Sequence, residues 1–220
     1  MHSIGQLSFV IRTHGGARAG AGRKRKSARS NVPHRPRPRL DARHPVHLTL
    51  RAGALPASLR DRRAFPALRS ALAFSTDALR ILHFSVQHDH LHLLVETDEP
   101  MRFARAVQGL AIRIARAVNR ALGRHGAVFA DRYHTRALRT PREVRHALVY
   151  VLQNWRKHGH RERGFDPCSS AMRFDGWKGV AAIANAFDSA RTWLARCGWR
   201  GLGLLDPRER PAGSPLRLGP

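Results

Sequence analysis

From Ile81 to Glu96 the chain reads ILHFSVQHDHLHLLVE, and this stretch restricts the fold more than any other. Two short apolar runs flank the polar pair His88-Asp89, the pattern of two strands joined by a tight hairpin turn. Leu82–Gln87 reads as one strand and His90–Glu96 as the next. Side chains two apart on a strand share a face, so His90 and His92 project together, whereas His88, in the turn, leaves that alignment. Two imidazoles on one face are a pair of nitrogen donors for one metal ion. The alternative is a chance alternation of His and Leu along a strand.

The flanking segments supply the remaining elements. Alternation of apolar and polar residues in HPVHLTLR, residues 44–51, predicts a strand before the hairpin, and a helix is expected over roughly Leu55–Leu79. Within Pro100–Arg124, Phe103, Val107, Leu110, Ile114 and Val118 recur at helical spacing and form one apolar stripe. At about 100° per residue, Arg102, Arg105, Arg113, Arg116 and Arg120 gather on a different face that carries no acidic residue. That arginine face reads either as a phosphate-binding stripe or as a solvated surface. Val128–Thr140 predicts a fourth strand. Thr140-Pro141-Arg142-Glu143 then opens a helix, with threonine as cap, proline first and glutamate third. This helix runs to about Lys157, with Gly159 beyond it as a stop. The order strand, helix, strand, strand, helix, strand, helix is α+β. Its first six elements give a ferredoxin-like (split βαβ) antiparallel sheet with helices on one face, and the last helix is an addition at the C-terminal side. A further helix is expected over Val180–Cys197.

The formal charge is +25 over 220 residues, which points to a polyanionic partner, nucleic acid before membrane. Much of it lies in GGARAGAGRKRKSARSNVPHRPRPRLDAR, residues 15–43, which holds almost nothing to bury. Residues 1–43 therefore read as a basic, disordered arm in which Arg23, Lys24, Arg25 and Lys26 would lie on DNA, with a solubilising or nucleoid-attracting tail as the alternative. Residues 44–160 read as the catalytic domain and 161–220 as an extension. Cys168 and Cys197 lack the spacing of a zinc site or a disulfide framework. No apolar run reaches membrane-spanning length, and Leu7–Ile11 is too short for a signal-peptide core. A soluble, cytoplasmic and nucleoid-associated protein is the expectation.

The last predicted helix carries the other chemistry-bearing residues. Its apolar face is Val144, Ala147, Leu148, Val151 and Trp155. Tyr150 and Asn154 lie off that face, four apart and hence on one side. The Asn154 amide oxygen is a hard donor that suits Mg²⁺ or Mn²⁺ beside histidine, with a surface amide as the alternative. Tyr150, placed beside such a metal, is a candidate nucleophile toward a DNA phosphate. The chain has two tyrosines, so Tyr133, in the predicted fourth strand, competes for that role. Glu143 and His146 face roughly the Tyr150 side, as assistants or as solvated groups.

These segments together resemble the IS200-like, single-tyrosine HUH transposases, especially the REP-associated tyrosine transposases. HPVHLTLR is similar to that family's opening strand, and HDHLHLLVE to its metal-binding core. VFADRYHTRAL is similar to the segment before its tyrosine helix, and VRHALVYVLQNWRKHG to the tyrosine helix itself. The resemblance implies metal ligands at His90 and His92, a nucleophile at Tyr150, a third ligand at Asn154, and Mg²⁺ or Mn²⁺ as cofactor. It also implies single-stranded DNA with a nearby hairpin, cut and rejoined through a 5′-phosphotyrosine link. Asp89 stands where the family has Asn, and Trp155 where it has Pro. Whether one chain or a homodimer completes the site is left open. The competing readings are a domesticated DNA- or RNA-hairpin binder without catalysis, and a relaxase or replication initiator with the same chemistry.

Overall fold

Val46, Leu48 and Leu50 alternate with His47, Thr49 and Arg51, and this period of two builds the first strand, β1 (Val46–Arg51). A computed structural model describes residues 39–74, 76–157, 164–181 and 189–211. The elements after β1 are α1 (Ala64–Leu72), β2 (Arg80–Val86), β3 (His90–Glu96), α2 (Phe103–Ala121), β4 (His134–Ala137) and α3 (Pro141–Lys157). A short helix α4 (Trp193–Arg196) follows, between 3₁₀ turns at Ala171–Arg173 and Gly198–Leu202.

The four strands form one antiparallel sheet in the order β2-β3-β1-β4. This is the split βαβ arrangement expected from the sequence: β3 is inserted between β1 and β2, and β4 returns to the outer edge of β1. Gln87 donates its backbone N–H to the His90 carbonyl at 2.7 Å, closing the hairpin around His88-Asp89.

One sheet face, with Leu48, Phe84, Leu91 and Leu93, packs on α1 and α2 in the larger core. All five apolar residues singled out on α2 are buried there. The other face is covered by α3 and the C-terminal segment, through Leu94, Leu148, Phe174, Trp177 and Trp199. A bulge between Ile81 and His83 turns Leu82 toward this second core while Ile81 and Phe84 stay in the first.

Three elements differ most from the sequence reading, while β1, β2 and α2 shift by up to three residues at their ends. The first helix is confined to Ala64–Leu72, because Pro66 is tolerated in a first turn and not in a helix interior. The fourth strand shrinks to His134–Ala137. Before it, Phe129 bridges Ala52, and the Arg132 backbone is turned onto the Asp131 carboxylate at 2.6 Å. Of the helix expected over Val180–Cys197, the described residues show Trp193–Arg196, capped by Thr192. The start of α3 follows expectation: Thr140 Oγ1 accepts from Glu143 N at 3.2 Å. The Glu143 carboxylate reaches back to Arg139 N at 2.7 Å and the Arg136 guanidinium at 2.8 Å.

Polar clasps tie the C-terminal segment to this frame. Glu96 is fully buried and accepts from Arg191 N, Thr192 N and the Thr192 hydroxyl, while pairing with Arg80. Asp166 takes a two-pronged bond from Arg60, and Glu209 one from Arg145 on α3. Among the described residues no helix is long and apolar enough to cross a membrane.

Candidate active site between the central strands and the third helix

The register of β1 against β3 puts Thr49 directly opposite His92. His47 and His90 lie two residues away on their strands, so all three imidazoles share the sheet face turned toward α3. The rings of His90 and His92 lie 4.8 Å apart between centroids, and those of His47 and His92 5.2 Å apart. Tyr150 reaches this row from α3 in the same chain. Its half-buried ring stands edge-on to His92 at 5.0 Å and to His47 at 5.6 Å.

Each histidine of the HLH pair is held at Nδ1. His90 Nδ1 lies 2.7 Å from Asp89 Oδ1, and His92 Nδ1 lies 3.0 Å from Thr49 Oγ1. The hydrogen bond from His90, joined by the charge of Arg51, holds the Asp89 carboxyl below the usual carboxylate range. An imidazole fixed through Nδ1 presents Nε2 outward, the arrangement that orients histidine ligands in metal sites. The aspartate that departs from the family pattern thus has a place as the partner of His90. Burial, with a contribution from Arg136, pushes His47 down to about 4, so that ring is neutral near pH 7.

Asn154, one turn beyond Tyr150, is 1 % exposed, and neither its amide oxygen nor its nitrogen has a hydrogen-bond partner among the described residues. The surface-amide alternative is therefore set aside. Helix α3 packs against both the sheet and the C-terminal segment, through Leu94 on one and Phe174, Trp177 and Trp199 on the other. Among the described residues no three His, Cys, Asp or Glu side chains converge as a metal set. Two imidazoles plus an amide oxygen nonetheless fit a hard divalent ion that keeps water in its remaining positions.

Tyr133 is on the other side of the sheet. It packs against the larger core, with its ring 6.5 Å from Phe103 of α2. The structure thus separates it from the histidines and brings Tyr150 to them. Of the α2 arginines, Arg102, Arg105, Arg116 and Arg120 are exposed, and Arg113 lies over the Phe74 ring at 5.5 Å. Because α2 packs on the face opposite α3, the stripe and the Tyr150 cluster lie on opposite sides of the sheet. Arg23, Lys24, Arg25 and Lys26 lie outside the described residues.

Sequence reasoning missed His47 and Thr49 as members of this cluster. Their alternation with buried Val46, Leu48 and Leu50 marked their face, but their proximity to His92 follows from the β1–β3 pairing.

Residues 70–152 match the model of the IS200-like transposase family. That IS200-like segment contains His90, His92 and Tyr150, and ends two residues before Asn154. The fold is also similar to a solved structure of a REP-associated tyrosine transposase bound to a REP hairpin. The TM-score is 0.52 at 16 % identity, covering 73 % of this chain and 100 % of that one. No curated protein matches the chain. The resemblance read from the sequence therefore holds in the IS200-like segment and in the fold around it.

Proposed function

We propose that this chain cuts and rejoins single-stranded DNA beside a hairpin, through a covalent 5′-phosphotyrosine at Tyr150. The observation that carries the reading is the seating of the Tyr150 ring against His92 within one chain. It supports a site completed by one chain, with no residue borrowed from a second copy. The family match over residues 70–152 supports the transposase-type chemistry. The hairpin-bound state of the structure with similar fold supports a hairpin as the partner.

In this reading the Tyr150 phenol loses its proton and its oxygen attacks phosphorus. The Tyr150 O–P bond forms as the bond to the 3′ oxygen breaks, and that oxygen leaves as a 3′ hydroxyl after taking a proton. Attack by a 3′ hydroxyl on the phosphotyrosine reverses the step and rejoins a strand. His90 and His92, oriented by Asp89 and Thr49, hold a divalent ion, Mg²⁺ or Mn²⁺, with Asn154 as third donor. When bound, that ion offsets charge on the phosphate oxygens. The exposed arginines of α2 are the groups that would meet phosphates of the hairpin stem, and the basic residues 23–26 add positive charge toward the same polyanion.

The test incubates labelled hairpins bearing single-stranded flanks with Mg²⁺, Mn²⁺ or EDTA and resolves protein–DNA adducts on denaturing gels. The reading expects a metal-dependent adduct that Tyr150→Phe abolishes and Tyr133→Phe keeps. Hairpin binding without an adduct under any metal would favour a non-catalytic binder.

A further inference from the structure

Beside Tyr150 the sheet edge, the start of α3 and Glu209–Pro211 enclose a cleft of about 420 Å³, within the size range of built small-molecule sites. The rings of His47 and Tyr150 border it, and Leu138, Ala147 and Pro211 give it apolar walls. Its rim carries Arg136, Arg210 and two carboxylates, of which Glu209 is held by both prongs of the Arg145 guanidinium and Glu143 lies at the start of α3. His47 is 7 % exposed and its Nε2 has no hydrogen-bond partner among the described residues. A buried polar atom left without a partner at a cleft is one that a ligand atom would satisfy.

We propose that this cleft receives one base of the single strand next to the scissile phosphate, and that Glu143 selects a base carrying an exocyclic amine. The inference rests on the proposed reaction, which brings a DNA phosphate to Tyr150. The occupant follows from the walls. Apolar and aromatic surfaces accept the faces of a flat base, as in sites that hold a nucleotide outside the stack. Two rim arginines match the adjoining phosphates.

The selection follows from donor and acceptor chemistry. An ionised carboxylate accepts and does not donate. Burial works to raise the Glu143 carboxyl, but Arg136 together with the Arg139 and Thr140 backbone outweighs it and holds the group below the usual range. One oxygen takes Arg136 at 2.8 Å and the other Arg139 N at 2.7 Å. Each carboxylate oxygen has a second lone-pair direction to offer. Cytosine, adenine and guanine carry an exocyclic amine that can donate there, whereas thymine lacks one and has its ring N3–H as its single donor.

The experiment measures binding of fluorescein-labelled dC₁₀, dA₁₀ and dT₁₀ to the full chain in EDTA, where cutting does not interfere. Wild type is expected to bind dC₁₀ and dA₁₀ about tenfold more tightly than dT₁₀, the value of one good base contact. Glu143→Gln keeps an oxygen for Arg139 N but adds a donor, so the ratio should fall to within about twofold of one. An unchanged ratio in a folded Glu143→Gln protein would overturn the assignment. If that variant does not fold, Arg136→Gln carries the test. It should weaken all three oligomers and reduce the salt slope of log K by about 0.7, and an unaltered slope overturns the proposal. A base preference without any Tyr150 adduct would keep the cleft and remove the reaction. An adduct indifferent to base and to Glu143 would do the reverse.

Discussion

Thr49→Val isolates one hydrogen bond at the centre of the site. Thr49 faces His92 across the β1–β3 pair, and its Oγ1 lies 3.0 Å from His92 Nδ1. Valine has nearly the same shape and is equally suited to a strand, so the backbone pairing should survive. Loss of one partly buried hydrogen bond should lower the stability of the metal-free protein by about 0.5–1.5 kcal/mol. The larger effect is on the ligand. Without its Nδ1 partner the imidazole loses the constraint that aims Nε2, and such outer partners are worth about 10–100-fold in metal affinity. That range equals about 1.4–2.7 kcal/mol, beyond any change in fold stability, since affinity is measured on folded protein. Calorimetric titration with Mn²⁺ reads it directly, and Thr49→Ser, which keeps the oxygen, should stay close to wild type. Equal Mn²⁺ affinity in the valine and wild-type proteins would refute the orientation argument.

Other consequences can be measured separately. Glu96→Ala should cost about 3 kcal/mol in denaturant unfolding, the low end for breaking a buried ion pair, because Asp98 still holds Arg80; a change below 1 kcal/mol would contradict the clasp. Arg105→Gln with Arg116→Gln should reduce the salt slope of hairpin affinity by about 1.8, and an unchanged slope would remove α2 from the DNA interface. Burial pushes His83 down to about 4, so between about pH 6.5 and 4 the unfolded chain binds a proton that the folded one does not. Its contribution to stability is therefore present above that window and falls by up to about 1.4 kcal/mol per pH unit as the pH drops through it. The wild-type minus His83→Gln difference in unfolding free energy should show that slope, and a flat difference would contradict it.

The strand pairing of the hairpin was legible because both its strands and its turn are local in sequence: His90–Glu96 has the same limits in the structure as in the reading. The α2 stripe was legible for the same reason, since Phe103 to Val118 repeat at helical spacing. The burial of Asn154 was not, because α3 packs against both the sheet and a far C-terminal segment whose Phe174, Trp177 and Trp199 have no periodic signature. His47 was hidden differently. Its neighbour in space is set by β1 pairing with β3, a contact across more than forty residues that strand alternation does not encode. Tyr133 and Tyr150 were equal candidates by residue type, and the side of the sheet on which each packs separates them.

Peptide mapping of the protein–DNA adduct tests the central claim most directly. After nuclease trimming and trypsin digestion, Tyr150 falls in the peptide His146–Arg156 and Tyr133 in Tyr133–Arg136. The account predicts the residual nucleotide mass on His146–Arg156, localised to Tyr150. The same mass on Tyr133–Arg136, or on no tyrosine peptide, would contradict it.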